Sequence, residues 1–157
     1  MIRLVVVARA LLFLLPILVY NSAMDTPFHY DDFHSIVDNP HIRQLQKIPS
    51  YFVDPTAFSQ NAESAMYRPF LLSSFALNYA LSGDKVWSYH LITLLLHLGC
   101  VGVVYGLGRR LLGAEWPALL AAALFAIHPI NSESVNYISS RSEVMGAFFV
   151  LLGLWFY

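Results

Sequence analysis

The stretch WSYHLITLLLHLGCVGVVYGL, residues 87–107, decides the fold because it is apolar over the length of a membrane helix. A helix needs about 20 mostly apolar residues to cross the hydrocarbon layer of a bilayer. Trp87 and Tyr89 stand at one end as interfacial aromatics, and Arg109 and Arg110 follow the other end. We therefore predict a membrane-spanning helix here. Its glycines recur at helical spacing and predict the close approach of a neighbouring helix; they are Gly99, Gly102 and Gly106.

The composition agrees with a membrane protein, since 57% of the residues are hydrophobic and 12% are charged. Soluble domains carry about 25% charged residues. The net charge is −1 with nine Lys and Arg residues, which provides no basic surface for a phosphate backbone. We therefore expect no nucleic-acid partner. The single cysteine, Cys100, lies in an apolar run and has no partner in this chain for a disulfide.

Four apolar runs predict spans, at about residues 4–21, 87–108, 117–130 and 144–157. Arg3 and Arg9 in front of the first apolar core would also suit a signal peptide, but the residues after it form a poor cleavage site, which favours an uncleaved anchor. The third run meets His128-Pro129 before it is long enough to span comfortably, so we expect it to be kinked. The fourth is shorter than a span. We therefore expect the sequence to stop inside a membrane helix.

Basic residues near the span ends predict the orientation. Four of them would lie on one side, which the positive-inside rule makes cytoplasmic; they are Arg3, Arg9, Arg109 and Arg110. Lys85 and Arg141 on the other face oppose this orientation. On this topology two outer loops, at about residues 22–86 and 131–143, share one non-cytoplasmic compartment.

The first outer loop carries repeated helix-start signals, which predict a structured loop with interfacial helices. Asn39-Pro40 and Asp54-Pro55 each read as a capping residue followed by proline in the first turn. The segment PFLLSSFALNYAL, residues 69–81, is too polar to span and apolar enough to lie along the membrane surface. Gly83 suits its C-terminal cap.

Two adjacent carboxylates, Asp31 and Asp32, follow the first span in the stretch FHYDDFHSIVDNP, residues 28–40. Adjacent side chains point in different directions, so one carboxylate could act as a base while the other orients it. Shielding by the neighbouring aromatic residues and the lipid surface would desolvate a carboxylate and raise its pKa, which suits a base that accepts a proton from a hydroxyl. The alternative is that these acids cap a short helix, and the motif alone favours that role.

Imidazole beside carboxylate also allows a divalent metal ion, for which Asp32 and His34 are the candidates. The spacing matches no specific metal signature, so hydrogen-bonded histidines are the simpler interpretation. His97 lies deep in the span of residues 87–108, where packing and functional roles are equally open.

The second outer loop offers ionisable residues that could bind an anionic group. If residues 132–141 form a helix, Glu133, Tyr137 and Arg141 follow at four-residue steps on one face, and a surface salt bridge is the default interpretation. The functional alternative is that Arg141 or His128 binds a lipid phosphate, for which a guanidinium offers planar paired donors. Arg68, before the interfacial helix, is a third candidate for the same role.

Several motifs in consistent order resemble one family. They are Tyr30-Asp31-Asp32 after the first span, YRPFLLSSFALNYALSG at residues 67–83, WSYHLITLLLH at 87–97 and HPINSESVNYISSRSE at 128–143. Together they resemble the N-terminal part of the membrane domain of tetratricopeptide-repeat O-mannosyltransferases and their bacterial relatives, although the repeats themselves are absent from this chain. The resemblance implies an all-α, polytopic, glycosyltransferase C-type fold, truncated in the fourth span.

The resemblance further implies a hexosyltransferase that moves a mannose-like sugar from a polyisoprenyl-phosphate donor to a hydroxyl acceptor, with a protein as the expected acceptor. Carried over to this sequence, Asp31 becomes the favoured general base and Asp32 its orienting or metal-binding neighbour. The resemblance leaves the divalent metal ion open as a cofactor. Residues that could bind the donor phosphate or the acceptor are Arg68, His128, Glu133 and Arg141.

The implied location is the bacterial inner membrane or the endoplasmic reticulum membrane, with the active site facing the periplasm or the lumen and with membrane lipids as partners. We expect the fragment to be inactive alone. Two other classes compete with the enzyme. A transporter or flippase of lipid-linked sugars would carry charge near the midplane, where only His97 fits. In a non-catalytic membrane scaffold, Asp31 would only cap a helix.

Overall fold

The computed structural model describes residues 2–157, apart from the side chain of Ala62, and within that range the chain is helical and has no strand. The six α-helices are α1 (Ile2–Tyr20), α2 (Pro69–Ser82), α3 (Val86–Leu112), α4 (Glu115–Ala126), α5 (Ser132–Asn136) and α6 (Arg141–Phe156). Segments of 3₁₀ helix and one π-helical turn, Phe33–Val37, connect them. Between α1 and α2 they are Asn21–Asp25, Phe33–Val37, His41–Arg43, Leu45–Phe52, Pro55–Phe58 and Ala62–Ser64, and after α4 they are Pro129–Asn131 and Ile138–Ser140.

Two helices of the described chain are long and apolar enough to cross a membrane, namely α1 with its following turn and α3. A third candidate is α4 together with residues 129–136, which passes the same test as a pair bent by 43°. The bend falls at His128-Pro129, where the sequence predicts an interruption. Apolar side chains on these helices and on α6 remain exposed, as lipid contact requires; examples are Leu18, Leu95, Leu120 and Val150. The all-α membrane fold is therefore confirmed.

Helix α3 lies at the centre and packs against both α4 and α6. The predicted close approach at its glycines is confirmed, because a Cβ placed on Gly99 would lie 2.8 Å from the ring of Phe148 in α6. On the other side, α1 joins α3 and α4 in a core that contains Leu12, Val101 and Leu119. These contacts align α1, α3, α4 and α6 along one another and place the two outer loops at a common end.

The opposite end of the bundle holds a group of charged side chains. Arg9 donates two hydrogen bonds of 3.0 Å to the carboxylate of Glu115. Arg109 lies 2.8 Å from the same carboxylate. Two of the four arginines that predict the orientation thus meet at one end, and the compartment that this end faces stays a prediction.

The long first outer loop folds onto α2 and the beginning of α3 around its own apolar core. Ile36, Tyr51 and Phe75 are buried there. Asn39 organises the loop, because its side-chain amide donates to the carbonyls of Ser35, Ala57 and Phe58 at 3.0–3.1 Å. The structured loop is therefore confirmed.

Local caps in this loop follow the sequence closely. The Asp54 carboxylate accepts a 2.9 Å hydrogen bond from the backbone N–H of Thr56 and caps the turn Pro55–Phe58. Gly83 ends α2 with a φ of 61°, which a glycine adopts without steric cost. The predicted caps at Asp54 and Gly83 are confirmed, and α2 lies one residue from the predicted range at its C-terminal end. Asn39 accepts a 2.9 Å hydrogen bond from the backbone N–H of His41, but Pro40 is the residue that caps the turn His41–Arg43.

Candidate active site

The two adjacent carboxylates are held in different environments by the turn that precedes them. Tyr30 has a φ of 50°, in the left-handed region that non-glycine residues rarely occupy. Such a conformation costs of order 1–3 kcal/mol and persists where surrounding contacts fix it. The turn directs Asp32 inward, where it is fully buried, and leaves Asp31 exposed.

Asp32 connects the first outer loop to the second. One carboxylate oxygen accepts hydrogen bonds from the backbone N–H of Ser139 at 3.0 Å and from its hydroxyl at 2.6 Å. The other oxygen accepts a 3.2 Å hydrogen bond from the backbone N–H of His29. Burial raises the pKa of Asp32, and the hydrogen bonds from Ser139 and His29 oppose that shift. The Asp32 carboxylate is therefore desolvated, and its hydrogen bonds with Ser139 anchor the first outer loop to the second.

Asp31 keeps its carboxylate accessible while its backbone is fixed. The side chain is 64% exposed, and one carboxylate oxygen lies 3.5 Å from Nε2 of His34. The backbone N–H donates a 3.0 Å hydrogen bond to the hydroxyl of Tyr137, and the backbone carbonyl accepts a 2.6 Å hydrogen bond from Ser35. The sequence predicted a shielded base. The structure instead shields Asp32, because the turn at Tyr30 points the two side chains in opposite directions.

A cleft of about 370 Å³ opens between the two outer loops; Tyr30, which precedes the carboxylates, lines it, whereas Asp31 and Asp32 do not. Its lining residues are Thr26, His29, Tyr30, Glu133, Asn136 and Tyr137. The rings of His29 and Tyr137 stack with their centroids 4.8 Å apart and form one wall. Glu133, a candidate for binding the donor phosphate or the acceptor, lines this cleft. The side-chain oxygen of Asn136 is buried there without a hydrogen-bond partner in the described chain. The cleft therefore offers the Glu133 carboxylate to a ligand that brings N–H or O–H donors.

Arg141 does not face this cleft. Its side chain is fully buried, and it donates hydrogen bonds of 2.8–3.0 Å to Thr93, Ser74, Asn78 and the carbonyl of Tyr89. The guanidinium thereby joins α2, α3 and α6. We expected it to be a candidate for binding a lipid phosphate, but burial and these four bonds commit it to holding the helices together.

The proposed common face of Glu133, Tyr137 and Arg141 is wrong, because residues 132–141 do not form one helix. Helix α5 ends at Asn136, and Tyr137 is extended with φ −99° and ψ 118°. A short turn then leads into α6 at Arg141. Because the backbone of Tyr137 is extended, its hydroxyl reaches the backbone N–H of Asp31. A continuous helix would instead place Tyr137 on one face with Glu133 and Arg141.

The remaining basic candidates lie away from the cleft. His128 is exposed and caps the turn after α4, where its Nδ1 accepts a 3.2 Å hydrogen bond from the N–H of Ile130. Arg68 is exposed just before α2 and donates a 3.3 Å hydrogen bond to Ser142. Its guanidinium lies 5.8 Å from the ring of Phe58, which in turn lies 6.3 Å from His34.

The two candidate metal ligands, Asp32 and His34, have different partners in the structure. His34 contacts Asp31, whereas both oxygens of Asp32 accept hydrogen bonds from the protein. In the part of the chain that the structure describes, no group of three or more His, Cys, Asp or Glu residues is arranged to hold a metal ion. His97 donates a 2.9 Å hydrogen bond from Nε2 to the carbonyl of Ala126 and stacks on Phe125, which fits the packing role.

Two residues that hold the site were missed by the sequence analysis as functional partners. Ser139 is one of several serines in a polar loop, and nothing in its spacing marks it as the partner of Asp32. Tyr137 carried a weak signal as an aromatic residue in a polar segment, yet its contact with Asp31 joins positions 106 residues apart.

The fold and this site define a class: an all-helical membrane protein whose two outer loops meet around a carboxylate pair at one end of the bundle. Comparison with known proteins shows the family within that class. The chain is 35% identical over 153 residues to Protein O-mannosyl-transferase tmtc2 of Xenopus laevis, covering 94% of this chain and 18% of that protein. It is 32% identical over 139 residues to Protein O-mannosyl-transferase TMTC2 of Homo sapiens, covering 87% of this chain and 17% of that protein.

A third relative, Protein O-mannosyl-transferase TMTC4 of Homo sapiens, is 31% identical over 153 residues, covering 87% of this chain and 21% of that protein. The chain therefore belongs to the family of these protein O-mannosyl-transferases and corresponds to part of their membrane domain. It spans about a fifth of the length of these relatives. No protein-family model matches the chain. No solved structure matches it either.

Proposed function

We propose that this chain contributes the outer-loop active site of a membrane glycosyltransferase. The enzyme would move a mannose-like sugar from a polyisoprenyl-phosphate donor to a hydroxyl group of a protein. Its relatives carry the name protein O-mannosyl-transferase, which supports the transferred sugar and the protein acceptor. The observation that carries the proposal is the accessible Asp31 carboxylate on a backbone fixed by Tyr137, a residue that lines the cleft between the two outer loops.

In this mechanism Asp31 is the general base. Its carboxylate takes the proton from the acceptor hydroxyl as that oxygen attacks the anomeric carbon of the donor sugar. A carbon–oxygen bond to the acceptor forms, the bond between the anomeric carbon and the phosphate oxygen breaks, and the lipid phosphate leaves with the electron pair. Arg68, which is exposed just before α2, would offer its guanidinium to that phosphate.

The remaining residues position the base and the acceptor. Asp32 anchors the turn through Ser139, and Tyr137 holds the Asp31 backbone through its hydroxyl. Glu133 would accept hydrogen bonds from the N–H groups of a peptide in the cleft. The contact of Asp32 with Ser139 and that of Asp31 with Tyr137 each join the two outer loops, so the site depends on both.

We place the site on the non-cytoplasmic face of the endoplasmic reticulum membrane or the bacterial inner membrane. The support is the charge distribution, because Arg9 and Arg109 meet at the opposite end of the bundle and the positive-inside rule assigns that end to the cytoplasm. A donor on a lipid carrier keeps its sugar at the membrane surface. A base at the outer end of the helices, where α3 begins, is placed to meet it.

The test is transfer of mannose from a mannosyl polyisoprenyl phosphate to an acceptor peptide, measured with the full-length protein in membranes. Asp31→Asn should lower the rate of transfer by roughly 10²–10⁴-fold, which is the usual contribution of a general base. Binding of the donor should remain. The matched control is Asp38→Asn, since Asp38 is an exposed carboxylate of the same loop. Unchanged turnover of Asp31→Asn would remove this residue from the mechanism and overturn the proposal.

A further inference from the structure

Three aromatic rings line the cleft between the two outer loops. The rings of His29 and Tyr137 stack with their centroids 4.8 Å apart, and the ring of Tyr30 meets His29 edge to face at 5.4 Å. Tyr30 is 82% exposed although its backbone holds the left-handed conformation. Because the faces of aromatic rings attract cations, such a wall suits a ligand that carries positive charge.

Glu133 lines the same cleft, and its carboxylate is exposed. In residues 2–157 the carboxylates that pair with arginine or histidine are Asp31, Asp32, Asp84 and Glu115. Glu133 is not among them. By contrast, Glu143 in α6 accepts a 2.6 Å hydrogen bond from Ser134. The charge of Glu133 is therefore available to a cation from outside the chain.

The charges around the cleft have one sign. In the part of the chain that the structure describes, no lysine or arginine lines the cleft. Two further acids adjoin it in sequence, since Asp25 precedes the lining residue Thr26 and Asp31 follows the lining residue Tyr30. Both of these acids are exposed. Like charges around a concave surface reinforce one another's potential, so the cleft attracts cations and repels anions.

We propose that this cleft binds an arginine or lysine side chain of the acceptor protein, and that Glu133 is the residue that selects it. The inference deepens the proposed function and rests on it, because the acceptor is the substrate whose hydroxyl Asp31 deprotonates. Glu133 pairs with the cation, and the rings of Tyr30 and Tyr137 contact the charged group. The choline headgroup of a lipid fits less well, because its phosphate would lie beside the acids of the cleft.

The position of the basic side chain in the acceptor follows from the distance between the cleft and the base. Tyr30 lines the cleft and Asp31 is the next residue, so their Cα atoms are about 3.8 Å apart. Tyr137 also lines the cleft, and its hydroxyl accepts a 3.0 Å hydrogen bond from the N–H of Asp31. An extended peptide advances about 3.3 Å per residue. The basic residue should therefore lie within about three residues of the hydroxyl that receives the sugar.

The test compares acceptor peptides that differ by one charge. Arginine or its uncharged isostere citrulline is placed at each position within three residues of the threonine hydroxyl, and mannose transfer is measured with the full-length protein in membranes. For the wild type, kcat/KM should be about tenfold higher with arginine at the best position, chiefly through a lower KM. Glu133→Gln should make the two peptides equivalent. Glu133→Arg should reverse the order, so that a glutamate peptide is preferred to the arginine peptide.

Two controls separate this selection from a structural role. Glu63 is an exposed glutamate of the first outer loop that does not line the cleft, so Glu63→Gln should keep the wild-type preference. Tyr30→Leu should lower the preference about threefold, whereas Tyr30→Phe, which keeps the ring, should retain it. Preferences are ratios within one variant, so a loss of overall rate does not affect them.

Equal kcat/KM values for the arginine and citrulline peptides at every position would overturn the proposal, as would a preference that persists in Glu133→Gln. Soluble phosphocholine is the competitor for the lipid headgroup. If it inhibits the wild type competitively and Glu133→Gln abolishes the inhibition, the cleft binds a headgroup and the proposal is wrong.

Peptide binding distinguishes this inference from the proposed function. Measured by fluorescence anisotropy with full-length Asp31→Asn in nanodiscs, binding should remain about tenfold tighter for the arginine peptide. If Asp31→Asn loses transfer and the wild type treats both peptides alike, the cleft inference fails and the base stands. If Asp31→Asn keeps full transfer and the preference, the base fails and the cleft inference stands. A preference that disappears in Asp31→Asn would make Asp31 the selecting carboxylate and overturn the assignment to Glu133.

Discussion

Two aspartates, Asp31 and Asp32, and two arginines, Arg68 and Arg141, allow a comparison within this molecule. In each pair one side chain is buried and the other is exposed. Asp32 and Arg141 form a buried polar centre in which every carboxylate oxygen and four guanidinium donors meet partners from the protein. Asp31 and Arg68 form an exposed rim, where each side chain makes one long polar contact. The residue type is the same, so burial and hydrogen-bond saturation decide which member is structural and which is available to a ligand.

The difference follows from the cost of removing a charge from water. An ionised group that is buried must regain its lost hydration through hydrogen bonds from the protein. Arg141 does so through groups on α2 and α3, and its arrangement closes the helices around it. Arg68 keeps its hydration and contributes little to folding. The buried polar centre therefore fixes the geometry, and the exposed rim stays accessible to solvent.

The largest expected effect is on Arg141. Arg141→Met should lower the free energy of unfolding by about 3–5 kcal/mol, because it leaves the buried polar groups of Thr93, Ser74 and Asn78 without their donor. Arg68→Met, the matched change at the exposed rim, should alter it by less than about 0.5 kcal/mol. The measurement is equilibrium unfolding in detergent micelles. Equal losses in the two variants would show that the comparison between the buried polar centre and the exposed rim does not hold.

The next effect is on the carboxylate pair. Asp32→Ala should lower the free energy of unfolding by about 2–3 kcal/mol, because the N–H groups of Ser139 and His29 lose their acceptor in a buried site. Asp31→Ala should change it by less than about 0.5 kcal/mol. Limited proteolysis of the outer loops, run beside the unfolding measurement, should show faster cleavage for Asp32→Ala alone. Faster cleavage of Asp31→Ala would mean that the exposed carboxylate also holds the loops.

Much of the fold could be predicted from the sequence because its signals are local. Apolar length identified α3, proline and Gly83 bounded α2, and Gly99 marked the approach of α6. A capping residue and its partner lie a few positions apart, as Asp54 and Thr56 show. Such features depend on residues a few positions apart, so they can be predicted from a short stretch of sequence.

The site could be predicted only in part, because its decisive contacts are distant in sequence. The sequence indicated the carboxylate pair and its two loops, but it could not tell which member is shielded. That depends on Ser139, 107 residues away from Asp32. Arg141 lies in a polar segment and was expected at the surface, although α2 and α3 bury it. The left-handed conformation at Tyr30 could not be predicted either, because glycine is the residue that usually indicates such a conformation and this position is a tyrosine.

The smallest expected effect is a pH dependence that distinguishes the buried carboxylate from the exposed one. Burial raises the pKa of Asp32 in the folded chain above the ordinary value of 3.8. Between the unfolded and folded pKa values the folded state then binds more protons, so the contribution of Asp32 to the free energy of unfolding falls as the pH rises through that window. Asp32→Asn should remove this slope, and Asp31→Asn should retain it. The check is the difference in thermal unfolding between wild type and variant across acidic pH. If the contribution of Asp32 instead rises with pH, the hydrogen bonds from Ser139 and His29 lower its pKa by more than desolvation raises it. The ionised carboxylate would then stabilise the folded chain in spite of its burial.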